Sequence, residues 1–300
     1  MSNDDQDINL KEILLTLYTH KKIIIYSVSL FVFLGIIFSL FLPDKYKADT
    51  LLIPVEDESN ISPINQLGGL ASLSGITLPK PAIVKSELAL EMMTSKIFLY
   101  KFLNQNNILV DLMATKGWSS NDNKLIINEK LYDQKTDKWL RKVSEPFKPK
   151  PSNFEAYEYW IDNVYSIEKS DKTRFIKISL SHYSPYIVQK WSNLLINQIN
   201  NDLKAAAILE SEKKLEYLKK EVSITSDNTI KSMLYDLIET EMQKLALANT
   251  SEEFALKVID PAIVPSLKSS PNRILLIFLS GVLGLFLSSF YVFVRHYLFY

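Results

Sequence analysis

The chain has 300 residues, with 34 acidic and 34 basic side chains and no cysteine. Neutrality disfavours a nucleic acid or a bulk polyanion as partner, since either would call for a basic excess. The absence of cysteine excludes a disulfide scaffold and a thiolate metal site. With 47% hydrophobic residues, the chain can build a core even after its two longest apolar runs are set aside.

Asp7 to Lys22 reads DINLKEILLTLYTHKK and sets Ile8, Leu10, Ile13, Leu14, Leu17 and Tyr18 roughly along one helical face. It predicts either an amphipathic helix against the inner surface of a membrane or a helical extension of the run that follows. Ile23 to Leu42 carries no charge, is preceded by Lys21 and Lys22, and is closed by Pro43 and Asp44. At about 1.5 Å of rise per residue it spans roughly 30 Å, the thickness of a bilayer core. Its apolar stretch is too long for a signal peptide and no small-x-small cleavage site follows it, so it reads as retained. Ile274 to Val294 is a second run of the same kind.

Two spans put both termini on one side of the membrane. The predicted order is a terminal segment 1–22, a span 23–42, a loop domain 43–273, a span 274–294 and a tail 295–300. Near the spans, Lys11, Lys21, Lys22 and Arg295 on the terminal side face Lys45, Lys47, Lys268 and Arg273 on the loop side. That tie leaves export of a long loop open. Setting aside the four acidic and four basic residues outside the loop leaves it neutral as well.

Within the loop, Tyr46 to Val55 reads as a strand ending at Pro54. Ile61 to Ile76 contains INQLGGLASLSGI, whose Gly68, Gly69, Leu70 and Gly75 suggest a subunit contact, with simple local packing as the alternative. A phosphate loop would need Gly-Lys-Ser/Thr after a strand, whereas Gly75 is followed by Ile76 and Thr77. Ala82 to Asn104 has helical periodicity, and Leu109–Lys116, Leu125–Val143 and Asn153–Val164 read as shorter helices. Trp118, Trp139 and Trp160 either fill the core or stack on sugars. Pro146, Pro149 and Pro151 predict an extended bridge.

Tyr165–Lys169 and Arg174–Ser181 alternate as a half-buried hairpin, with Ile176, Ile178 and Leu180 on one face. His182 stands far in sequence from His20 and His296, so the pattern offers neither a metal site nor a catalytic triad. Ser184 as cap and Pro185 in the first turn open the longest helical signal, Tyr186 to Val222. A break at 223–228 and a second helix, Thr229 to Asn249, predict a projecting helical hairpin. Leu256–Ala262 closes the domain as a strand, and Pro261, Pro265 and Pro271 stiffen the strut 258–273 before the second span.

In this order, DINLKEILLTLYTHKK, INQLGGLASLSGI, ISLSHYSPYIVQKWSNLLINQIN and VIDPAIVPSLKSSPNR resemble the Wzz-type polysaccharide co-polymerases over nearly the full length. The resemblance implies an inner-membrane protein of α+β fold. Two transmembrane helices would flank a periplasmic domain with a membrane-proximal α/β base and a long projecting hairpin. It also implies a homo-oligomeric ring of about eight subunits, working with the O-antigen polymerase on an undecaprenyl-linked glycan to set lipopolysaccharide O-antigen chain length, with enterobacterial common antigen or a capsule-like polymer as the alternative glycan. Enzymatic activity, cofactors and metals are not implied. Capsule-type relatives carry a cytoplasmic kinase after the second span; the six-residue tail predicts none here.

Ser280, Gly284 and Ser288 recur every four residues on the second span, and Gly35 and Ser39 do so on the first. Small residues let helices approach closely in lipid, so these faces are expected to pack the spans together or against the polymerase. A membrane sensor would need an output module after the second span. An export adaptor would share the hairpin and strut but be richer in β-modules. No nucleophile elbow, histidine cluster or phosphate loop supports an enzyme, although abundant carboxylates leave a glycosidase open.

Overall fold

The computed structural model describes residues 18–55, 85–170 and 172–299. The glycine-bearing segment with Gly68, Gly69, Leu70 and Gly75, and most of the N-terminal amphipathic stretch, lie outside the described residues. The chain divides into two units, residues 1–46 with 267–300, and residues 47–266.

The first unit contains helix α1, Lys21–Phe41, and the terminal helix Arg273–Phe299. Both are long and apolar enough to cross a membrane, and only 6% and 11% of their most apolar windows are buried. A core helix of a soluble protein would be covered; these present Phe33, Phe38, Phe278, Phe286 and Phe290 outward.

The second unit is α+β. In chain order it holds β1 (Tyr46–Pro54), α2 (Lys85–Thr94), α3 (Lys96–Gln105), α4 (Leu109–Met113), β2 (Thr115–Ser119), β3 (Lys124–Ile127), β4 (Tyr132–Asp133) and β5 (Lys138–Trp139). There follow α5 (Asn153–Asn163), β6 (Tyr165–Lys169), β7 (Ile176–His182), α6 (Pro185–Ile224), α7 (Asn228–Thr250) and β8 (Leu256–Asp260), the terminal helix of the first unit being α8. The main sheet has the order β6-β7-β1-β8, with β6–β7 and β1–β8 antiparallel. Ile176, Ile178 and Leu180 of β7 are buried, as their alternation predicts, and Lys177 pairs with Asp49 of β1 at 2.9 Å.

The core between sheet and helices is aromatic. Phe102 meets Trp160 edge-on at 5.5 Å, Trp160 lies 5.4 Å from Trp191, and Trp191 lies 4.7 Å from His182. Trp160 and Trp191 are buried, so for Trp160 core filling prevails over sugar stacking. His182 is a packing residue: its Nδ1 accepts from the Ser184 N–H, and its Nε2 sits 3.1 Å from the Asp111 carbonyl.

Two helical expectations are corrected. Ala82–Asn104 is not one helix: Ser95 is extended and caps a new helix, its Oγ accepting from Phe98 N–H. Leu125–Val143 is not helical but holds β3 and the β4–β5 hairpin, and the helix expected over Leu109–Lys116 stops at Met113. Asn123 and Asp137 take φ of 47° and 55°, which short polar side chains tolerate in tight turns and a helix forbids. Asp133 fastens the second turn, accepting from Lys135 N–H and Thr136 Oγ1.

Candidate assembly surfaces

The first surface is the α1–α8 pair. Gly35 lies opposite Ser280, whose Cβ would stand 2.8 Å from a Cβ built on the glycine. One turn further, Gly284 lies against Phe31, whose Cβ would be 2.8 Å away, and Gly281 lies against Val32 at 3.2 Å. These pairings run antiparallel, and at Gly35 and Gly284 an added Cβ would collide with the Cβ of the facing residue, so something must shift to admit it, whereas at Gly281 Val32 need give only a few tenths of an ångström. Ser39 and Ser288 are buried. The hydroxyls of Ser280 and Ser288 donate back to the carbonyls of Ile277 and Leu285. Gly35, Ser280 and Gly284 are thereby brought into one helix–helix seam; Phe31 was not visible as its partner without the antiparallel register.

The second surface is the α6–α7 hairpin. The Ser184 hydroxyl accepts from Ile187 N–H and Pro185 occupies the first turn, starting a helix of 40 residues, about 60 Å long. The chain turns at 225–227, where Asp227 caps α7 by accepting from Thr229 and Ile230 N–H. Those hydrogen bonds, that to Ile230 foremost, hold the Asp227 carboxyl below its usual pKa.

Across the hairpin, Ser211 donates to the buried Glu241, and Lys244 pairs with the same carboxylate at 2.8 Å. Lys214 pairs with Glu210 at 2.6 Å; that hydrogen bond raises the lysine pKa and lowers that of the glutamate. A groove of about 380 Å³ lies between the helices, lined by Lys213, Lys214, Tyr217, Leu218, Leu237 and Glu241. Ile230, Met233, Leu237 and Leu247 remain exposed on α7, beside the half-buried Leu234, Ile238 and Leu245 and the buried Glu241 and Ala248. Exposed apolar side chains clustered on a solvent-facing helix make a candidate interaction surface, interrupted here by Thr240 and Lys244. The 3.6-residue pattern revealed the α7 helix but could not say that it carries a second apolar stripe.

Of the prolines singled out in the sequence, Pro261 directly follows β8, Pro265 lies further along the same exit segment, and Pro271 stands two residues before α8. Among the described residues no three His, Asp or Glu side chains cluster as a metal site would require.

A family model described as "Chain length determinant protein" (Wzz) matches residues 6–105, and one described as "G-rich domain on putative tyrosine kinase" (GNVR) matches residues 216–297. The chain belongs to the Wzz-type polysaccharide co-polymerase family. The Wzz match contains α1, and the GNVR match contains the groove residues Tyr217 and Leu237 and nearly all of α8. A solved "full-length bacterial polysaccharide co-polymerase" is 13% identical, covering 97% of this chain and 98% of its own, with a TM-score of 0.37. A "Fragment of WzzB, Polysaccharide Co-polymerase from Salmonella Typhimurium" is 12% identical over 76% of this chain and 100% of its own, with a TM-score of 0.31. No curated protein sequence matches the chain. Wzz membership and two uncovered apolar helices together mark an inner-membrane protein.

Proposed function

We propose that this protein sets the modal chain length of lipopolysaccharide O-antigen, acting as a homo-oligomeric co-polymerase beside the inner-membrane polymerase. The supporting observation is that two family models, one named for chain-length determination, fall on the two ends of a chain built as a paired-helix anchor and a long helical hairpin. In this reading the α+β unit lies in the periplasm and the prolines around Pro261 and Pro265 stiffen its tether. Neighbouring copies close a ring whose fixed size and height hold polymerase and undecaprenyl-linked glycan in a defined arrangement. The protein makes and breaks no bonds; it limits how many repeat units the polymerase adds.

The test is the lipopolysaccharide ladder of a deletion strain, complemented with this chain or left empty. A clustered band distribution that becomes short and random on deletion supports the reading. An unchanged ladder overturns the O-antigen assignment and directs the same comparison to enterobacterial common antigen and capsule.

A further inference from the structure

Helices α3 and α5 pack against each other, and their outward sides meet in a cluster of rings. Tyr100 of α3 stands edge-on to Tyr157 of α5, with ring centres 6.3 Å apart. Lys96, in the first turn of α3, carries its ammonium 5.2 Å from the Phe154 ring centre and 5.7 Å from that of Tyr157. Phe154 is 49% exposed, and Ile97, next to Lys96 in the chain, is 84% exposed. One turn along α3 from Tyr100, Asn104 Nδ2 donates to Asn153 Oδ1 at 3.3 Å, and both asparagines are exposed.

The bond between the two carboxamides uses one donor and one acceptor. It leaves Asn104 Oδ1 to accept and the Asn153 amide nitrogen to donate, side by side at the surface. Neighbouring hydroxyls of a sugar offer the matching pair, and the C–H face of a pyranose is flat and apolar enough to lie on an aromatic ring. We propose that the α3–α5 surface is a binding site for pyranose units of the O-antigen glycan. Phe154 is the stacking platform, and Asn104 with Asn153 takes the hydroxyls. Lys96 and Tyr157 are positioning residues: the ammonium lies against both rings and holds them in place, so little ordering remains to be done on binding. The Wzz match at residues 6–105 covers all of α3, so the surface falls partly in the stretch that the chain shares with its family. The nature of the ligand rests on the proposed co-polymerase function; the site itself does not depend on which polymer the lipopolysaccharide ladder identifies.

The experiment titrates lipid-free O-polysaccharide, released from lipopolysaccharide by mild acid, onto the immobilised full-length protein in detergent. Enterobacterial common antigen and capsule polymer run in parallel, with dextran as the reference. The wild type is expected to bind the O-polysaccharide more tightly than dextran. F154L, which keeps the bulk but removes the ring, and N104A/N153A should each weaken binding about tenfold, while F154W keeps it; the melting temperatures should all stay close to that of the wild type, because the changed side chains are exposed. Preferential binding of one of the other two polymers, with the same order of variants, keeps the site and overturns the O-antigen assignment. No polymer bound above dextran by the folded wild type, or F154L binding as the wild type does, overturns the site. F154L that changes only the mass of the assembly overturns it too, and makes the surface a contact between copies.

Discussion

Asn200 holds the last strand of the sheet from the middle of the long helix. Its amide oxygen accepts from Ala255 N–H at 2.9 Å and Leu256 N–H at 3.0 Å, and its amide nitrogen donates to the Leu256 carbonyl at 2.9 Å. The side chain is buried, so no solvent replaces these bonds. Asn200→Ala strands buried backbone groups and should cost about 2–4 kcal/mol. The full-length protein in detergent should melt roughly 5–10 °C lower; a melting point unchanged within error would contradict the role.

Gly284 and Phe31 predict a pair of compensating substitutions. Gly284→Leu drives a side chain into Phe31 and should destabilise the helix pair by about 1–3 kcal/mol through overpacking. Phe31→Ala alone opens a gap, and the two together should recover part of the loss. Thermal inactivation of the four proteins in one detergent measures the coupling; strictly additive effects would mean that the residues do not meet.

Glu155 predicts an acid-sensitive step. It completes a capping box with Ser152 and pairs with Arg141 at 2.8 Å, and Arg141 also donates to the carbonyls of Lys148 and Pro149. Burial pushes its pKa up, but the Ser152 N–H and the Arg141 guanidinium outweigh that and hold it below the ordinary 4.5. A lowered carboxylate stabilises the fold above its unfolded pKa and loses that contribution as pH falls through the folded value. Between about pH 5 and pH 3 the wild type should therefore lose more of its melting temperature than Glu155→Gln, which keeps the cap but has no charge to titrate. Parallel losses in the two proteins would show that Glu155 is not the group responsible.

Leu237 and Met233 test the hairpin as an assembly surface. Both are more than half exposed, at 52% and 63%, so Leu237→Ser with Met233→Ser should leave the melting temperature nearly unchanged. If the α7 stripe joins copies of the chain, the double variant should shift the assembly toward smaller species by mass photometry and flatten the ladder. Wild-type assembly in the variant would place the contact elsewhere.

How far the fold could be read ahead depended on how local its signals are. Ser184, Pro185 and an apolar stripe that resumes at Leu215 after a slightly polar stretch define α6 within a single stretch, and the alternation of Ile176, Ile178 and Leu180 does the same for β7. Between Thr115 and Trp139 the strands are two to five residues long, too short for a two-residue period to outweigh a chance helical one. Their turns rest on the left-handed conformations of Asn123 and Asp137, which composition does not announce. The seam of the anchor was half legible: Gly35, Ser280 and Gly284 carry the small-residue spacing, but only the antiparallel register sets Phe31 opposite Gly284. Asn200 gave no signal, because a polar residue on a long helix reads as solvated until a strand is found against it.

In the main sheet, β1 and β8 are neighbours, with Leu52 opposite Val258 and Ile53 opposite Lys257. The first strand of the domain and its last are thus stitched to each other. Everything between them is a closed excursion that begins and finishes at the same doorway. Such a cassette can be exchanged for that of a relative by joining within β1 and β8, because the graft replaces both edges of one ladder and keeps the anchor whole. A chimera of that kind would inherit its polymer length from the inserted module and its membrane address from the host.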